Sequence, residues 1–443
     1  MRRAHAAGLA AALLGGMAAT APAHADIIDD LEPGHWVEVP SSAMRDVCPP
    51  DTADYDFHFH CAGVTNAWGG ATLDTTRGRL ILWGGGHADY KGNELYAFDT
   101  HGLSWERIWG PTPENQIPSG GTHETYDDGN PGSRHTYSGL SYVPAPVDAF
   151  LSMGGSLWQS GNYSVATWSF SFQDGTWTRK ADGPAGGGGY GDPSAYDPQT
   201  GHVFRRSNDR MVEYDPVGDA FTDRAQSDGG FWQSNVAAAL DPVGRLMVFV
   251  GDDRLDLYHL DSDAYEQDVT LNGASVDQVF SVPPGIGFDT TQERFVLWGG
   301  GLDVYTFDPD TLTLSVHTGA GDDPGQVTTS GGVFGRFRYV PSRNAFFRVN
   351  TVDENVFAFR LGPGTGTPLP GEGGGSGTAG AGGTGGSGGS GTTGGSGGAG
   401  ANAAAPTTDD EGGCGCRIPQ RPTHPPIVWV LLVVAAFAFR RRR

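Results

Sequence analysis

Lysine is nearly missing from this 443-residue chain: Lys91 and Lys180 are the only two, and the remaining strong bases are arginines. Lysine and arginine together number 28 against 51 aspartates and glutamates, a formal net charge of −23. Nucleic-acid binding needs a basic footprint, so this balance argues against that class. The same balance argues against electrostatic docking on anionic lipid. Cysteine is scarce too, with two in the body of the chain (Cys48, Cys61) and two near its end (Cys414, Cys416). The apolar run Ile427 to Phe439 has 13 residues. As a helix it would cover ~20 Å, short of the ~30 Å hydrocarbon core.

What the chain does have is a recurring signature: an apolar run ending in Gly-Gly, then an aromatic-rich strand, then tryptophan. Trp83-Gly84-Gly85-Gly86 leads to Tyr96, Phe98, Asp99 and Trp105; Met153-Gly154-Gly155 leads to Trp168, Phe170 and Trp177; Trp298-Gly299-Gly300-Gly301 leads to Tyr305, Phe307 and Asp308. Self-similarity at a fixed period marks a repeat architecture. Turn signals at Asp74, Asp197-Pro198, Asp241-Pro242 and Asp289 separate alternating apolar runs, as hairpins require. The spacing gives six units of four short strands, an all-β propeller over residues 26–361, with seven blades as the alternative count. The sixth unit runs out after its third strand at Leu361. His35-Trp36-Val37-Glu38-Val39 reads as a fourth strand without neighbours, and is expected to close blade six and remove the open edges. The Gly-Gly, tyrosine, tryptophan pattern resembles kelch repeats, the galactose-oxidase-type propellers.

The ends carry addresses. Arg2-Arg3, the apolar stretch Gly8 to Ala19 and Ala23-His24-Ala25 form a secretory signal over 1–25. Residues 362–413 are Gly, Ser, Thr and Ala with little to bury, a disordered tether. Residues 414–443 hold Cys414-Gly415-Cys416, the apolar stretch and Arg440 to Arg443. This order resembles the C-terminal sorting signal of myxobacterial surface proteins. The resemblance implies a sorting protease acting near Cys414 or Cys416 and delivery to the cell or outer-membrane surface; a plain membrane anchor is the alternative. In an exported chain, Cys48 and Cys61 are expected to pair as a disulfide, and a zinc site with His58 and His60 competes with that. No cofactor and no other metal is expected, and a monomer is.

In a four-strand blade, the connections before strand one and between strands two and three open on one face. That face collects His87, Tyr90 and Asn93 from blade 1; His123, Arg134, His135, Tyr137, Trp158, Asn162 and Tyr163 from blade 2; Tyr190, Arg205 and Arg206 from blade 3; and Trp232 before blade 4. The opposite turns are plain Asp-Pro and Thr-Gly hairpins. A single propeller histidine is as readily structural as functional, but loop residues gathered on a rigid scaffold tend to carry function. Copper-radical oxidation needs a tyrosine–cysteine cross-link, and the two cysteines are better explained by each other.

The expected function is recognition of an extracellular glycan, with Trp158, Trp232, Tyr90 and Tyr163 as stacking platforms and Asn93 and Arg206 as hydrogen-bond donors. An adhesion module without a small-ligand site is a further alternative. The competing enzyme reading is β-elimination of a uronate-containing polysaccharide, which needs a neutralised carboxylate and a base–acid pair. The Tyr190/Arg206 placement resembles propeller-type ulvan lyases. The resemblance implies Tyr190 as base or acid, Arg206 or Arg205 as carboxylate clamp, and His135 or His123 as the complementary group, with His87 nearby.

Overall fold

The computed structural model describes residues 26–370, except 88, 185–190, 208, 230, 232–235, 277–281 and 328–331. Five blades are built from consecutive strands. Blade 1 is Gly70–Asp74, Arg79–Trp83, Leu95–Asp99 and Ser104–Trp109; blade 2 is Leu140–Val143, Ala149–Met153, Thr167–Ser171 and Thr176–Arg179. Blades 3, 4 and 5 repeat the antiparallel order from Ser194–Asp197, Ala237–Asp241 and Gly285–Asp289. Blade 6 has Phe337–Val340, Ala345–Arg348 and Phe357–Arg360 from the end of the ring, and its outer strand is His35–Glu38 from the beginning. That strand pairs antiparallel with the last one, Trp36 opposite Phe359 and Glu38 opposite Phe357. The ring is therefore six-bladed and closed by the N-terminal strand, as the sequence predicted. Neighbouring innermost strands meet in turn around the ring, blade 6 against blade 1 included.

Strand alternation explains why the blades hold together. Successive side chains point to opposite faces of a strand, so each middle strand feeds two neighbouring interfaces. Leu80 and Leu82 join Phe347 and Val349 between blades 1 and 6. Ile81 and Trp83 join Phe150 and Phe170 between blades 1 and 2. Phe295 and Leu297 pack with Val248 of blade 4, while Val296 and Trp298 pack with Phe346 and Trp36 of blade 6. Burying such side chains is worth ~1.5–3 kcal/mol each, so the interfaces hold the ring together.

Many of the acidic residues are used in the turns. At Asp74, Asp99, Asp197, Asp215, Asp241 and Asp289 a carboxylate oxygen accepts backbone N–H groups two or three residues on. This side-chain turn mimics a backbone turn and suits short polar residues. The Gly-Gly signature has a separate cause. Gly84 sits at φ +122°, and a Cβ there would lie 2.7 Å from the Arg134 carbonyl of the neighbouring blade's approach. The glycines thus let two loops meet at one rim.

The inner strands leave an axial cavity of about 290 Å³. Tyr142, Tyr196, Leu240, Phe288 and Tyr339 line it, towards the plain-turn end of those strands. Past blade 6 the chain runs on across the turns of blades 6 and 5, with Thr367 N donating to Pro341 O and Gln292 Nε2 to Pro363 O. No helix among the described residues is long and apolar enough to cross a membrane.

Candidate functional site at the blade 1–2 rim

Three stretches converge at one rim: the loop after Trp83 in blade 1, the long approach to blade 2, and the loop after Met153. The second and third are stitched by a two-stranded ladder, Arg134 opposite Leu157 and His135 opposite Ser156. Alternation along 134–137 then sorts the side chains. Arg134 turns inward, wholly buried, with its Nη2 donating to Glu124 Oε1 at 2.8 Å and its guanidinium over the Trp83 ring. His135 turns to the rim. Thr136 turns back, its hydroxyl donating to Trp83 O and accepting from Gly70 N. Tyr137, at φ +47°, lies beside His135 and edge-on to Phe334.

The centre of the site is His87, Asp89 and His135. One ligand-type atom from each lies within 4.8 Å of the others. His135 Nε2 is 3.1 Å from Asp89 Oδ2, and the His87 and His135 rings stand edge to face at 5.2 Å. Trp68 stacks on the His135 ring at 4.8 Å. Behind it, Tyr137 Oη is 3.4 Å from His135 Nδ1 and 3.0 Å from Ser156 Oγ. His135 is 2% exposed, whereas the Asp89 side chain is 48% exposed, so the cluster runs from core to solvent. Burial lowers the His135 pKa below its ordinary value, and the opposing pull of Asp89 does not offset it. An imidazole held between a tyrosine hydroxyl and a carboxylate can pass a proton or ligate a metal.

Asn162 and Tyr163 sit at the mouth; Asn162 Nδ2 donates to Thr122 Oγ1, and Tyr163 is 44% exposed. His123 lies on the same approach segment, its Nε2 against Gly120 O. The structure therefore brings His87, His135 and Tyr137 together and sets His123, Asn162 and Tyr163 on the segments around them.

Other residues named from the sequence point elsewhere. Tyr90 is fully buried and donates to Glu94 Oε1 at 2.6 Å, so it is a core side chain and no platform. Asn93 is fully buried as a loop pin, donating to Thr112 Oγ1 and Pro131 O and accepting from Thr112 N. Trp158 is only 8% exposed, which leaves little ring face for a sugar. Arg206 is sealed between blades 3 and 4, paired with Asp256 at 2.8 Å and lying over Phe231, Phe249 and Tyr265. Arg205 is equally buried and pairs with Asp192. Both positions that the lyase resemblance offered for a carboxylate clamp are thus committed to internal carboxylates. Tyr190, Trp232, Cys414 and Cys416 lie outside the described residues.

Cys48 and Cys61 form a disulfide with Cα atoms 6.1 Å apart. The sulfurs are thereby consumed, and the competing zinc site with His58 and His60 has no thiolates to use. His60 stacks on Tyr55. Sequence reasoning passed over Asp89 and Trp68 as site residues. The His-x-Asp spacing of His87 and Asp89 was the available signal; Trp68 had none, because its partner His135 is 67 positions away.

The class that these observations define is a six-bladed β-propeller with a polar, histidine-centred rim. No family model matches the chain, and no curated protein matches it either.

Proposed function

We propose that the chain is an exported, surface-held propeller of kelch type that recognises an extracellular glycan at the blade 1–2 rim. The observation carrying this is the His87–Asp89–His135 cluster, assembled from two blades and open to solvent through Asp89 and Tyr163. Polar groups converging on a rigid scaffold, with one exposed aromatic ring beside them, suit a sugar's hydroxyls and apolar face. The sequence expectations of a leader, tether and sorting tail support an extracellular ligand, and the acidic balance argues against nucleic acid as the partner.

Eliminative cleavage is the second reading, favoured by one observation: the His135 ring placed between Tyr137 Oη and Asp89 Oδ2. It lacks the expected clamp, since Arg206 faces Asp256. A panel of neutral and uronate-containing polysaccharides separates the two. Binding that Tyr163→Ala and Asn162→Ala weaken at least fivefold, without new ultraviolet absorbance, supports recognition. Growth of the unsaturated-product absorbance that Tyr137→Phe abolishes would transfer the assignment to a lyase. Absence of binding to every polysaccharide tested would overturn the glycan reading.

A further inference from the structure

We propose that His87, Asp89 and His135 form a zinc site whose open position takes an oxygen from the ligand. This deepens the glycan reading and, in its second half, rests on it. It also departs from the cofactor-free expectation drawn from the sequence.

The donor set is two imidazoles and one carboxylate, which suits zinc and neighbouring first-row ions and does not suit calcium or magnesium, whose ligands are all oxygen. Zinc–ligand distances of about 2.0–2.1 Å put tetrahedral ligands about 3.3 Å apart. The 3.1 Å between His135 Nε2 and Asp89 Oδ2 already matches that edge. The third ligand needs to move by an ångström or so, since all three atoms fall within 4.8 Å. His87 is partly exposed and can make that shift. Its ring is seated where Gly161 has no side chain; a Cβ there would lie 2.5 Å from the ring.

The surroundings are those a ligand histidine requires. A metal-bound imidazole is held in place by a partner at its other nitrogen. At His135 that nitrogen, Nδ1, faces Tyr137 Oη, which is itself held by Ser156. The Trp68 ring fixes the imidazole plane. Three protein ligands and a solvent-facing fourth position are the pattern of a zinc that binds an outside molecule, whereas a structural zinc is closed by four.

Charge gives the site its purpose. The protein is strongly acidic, and the cations of this neighbourhood are already engaged: Lys91 with Glu114, Arg134 with Glu124, Arg205 with Asp192 and Arg206 with Asp256. Those guanidinium and ammonium groups are thus committed to the protein's own carboxylates, so a carboxylate-bearing sugar gains from a further cation at the rim. A dication held by one carboxylate supplies it, and the fourth position takes a uronate oxygen.

The test is zinc titration by calorimetry on the full chain after chelation, carrying Cys414→Ser and Cys416→Ser so that tail thiols do not contribute. One zinc per chain with micromolar or tighter affinity is expected. Asp89→Asn, a substitution at a half-exposed position that spares the fold, and His87→Gln should each weaken it at least tenfold. Tyr137→Phe should weaken it several-fold, and His58→Ala should leave it unchanged. Zinc bound no more tightly by the parent than by Asp89→Asn and His87→Gln would overturn the site, leaving the His135–Asp89 contact as a simple hydrogen bond. A separate arm measures uronate binding before and after chelation. Loss on chelation supports the ligand role; binding that survives chelation overturns that role while the glycan reading stands. Zinc binding with no polysaccharide bound overturns the glycan reading alone.

Discussion

Trp36, near the start of the described chain, lies across Phe359 near its end, with ring centroids 4.9 Å apart and the two residues directly opposed in register. The same indole meets Trp298 and Phe337, and its Nε1 donates to Leu302 O of blade 5. One side chain therefore closes the ring and seals the blade 5–6 interface. Trp36→Ala should cost about 3–5 kcal/mol, as large-to-small changes in packed cores do. Urea denaturation followed by tryptophan fluorescence reads this directly; a loss under 1 kcal/mol would mean that closure does not depend on this strand.

The Cys48–Cys61 bridge closes a short loop that carries the helical turn Phe57–His60, and the turn Gly63–Asn66 follows directly after it. Gly63 packs against Tyr90 and the backbone of Gly85, so the bridge braces the blade 1 side of the site. Reduction should lower stability by about 3 kcal/mol, the entropy scale for a loop of this length. Thermal melts with and without reductant should show the shift, and Cys48→Ser/Cys61→Ser should match the reduced protein. Equal melting temperatures would show that the segment is held by packing alone.

The blade pattern was legible because it is local and periodic. The Gly-Gly signature, the Asp turns and the alternating runs each report a backbone requirement that repeats, and the orphan strand at His35 could be placed because blade 6 visibly lacked one. The rim was legible as a set of loops but not as a set of contacts. Whether Tyr90 faces solvent or Glu94, and whether Arg206 faces the rim or Asp256, depends on the twist and packing of neighbouring blades. Nothing in one strand's sequence encodes the position of a partner 50 residues away. His135 and His87 were found because both sit in loops; Trp68 became visible only when the ring brought blades 1 and 2 together.

Glu94 is a wholly buried carboxyl that accepts from Tyr90 and Tyr96, while its Oε2 has no hydrogen-bond partner among the described residues. Burial raises its pKa, and the two tyrosine hydrogen bonds do not offset that. The folded protein therefore keeps a proton at pH values where the unfolded chain has released it. Stability should fall as pH rises from the ordinary glutamate range through the folded value, and level off above it. Glu94→Gln removes that titration, so the melting temperature of the variant minus that of the parent should increase with pH across the window. A difference that stays flat with pH would show that Glu94 is ionised in the folded state at no cost.

Arg206 provides the sharpest separation of structure from chemistry. Its guanidinium is buried against Asp256, which also accepts from Arg254 and from Asp268 N, and it lies over three aromatic rings. Removing one partner of a buried pair leaves the other charge poorly compensated, at a cost of about 3–5 kcal/mol. Arg254 remains beside Asp256, so Arg206→Met should fall at the lower end of that range, near 3 kcal/mol. Adding Asp256→Asn should recover part of the loss, because the uncompensated charge is then gone. A carboxylate clamp behaves in the opposite way: its replacement leaves the fold intact and abolishes ligand binding. Urea melts and polysaccharide binding measured on the same variants distinguish the two. Full stability with lost binding in Arg206→Met would place the guanidinium at the ligand; reduced stability, with binding retained by the folded fraction, keeps it between blades 3 and 4.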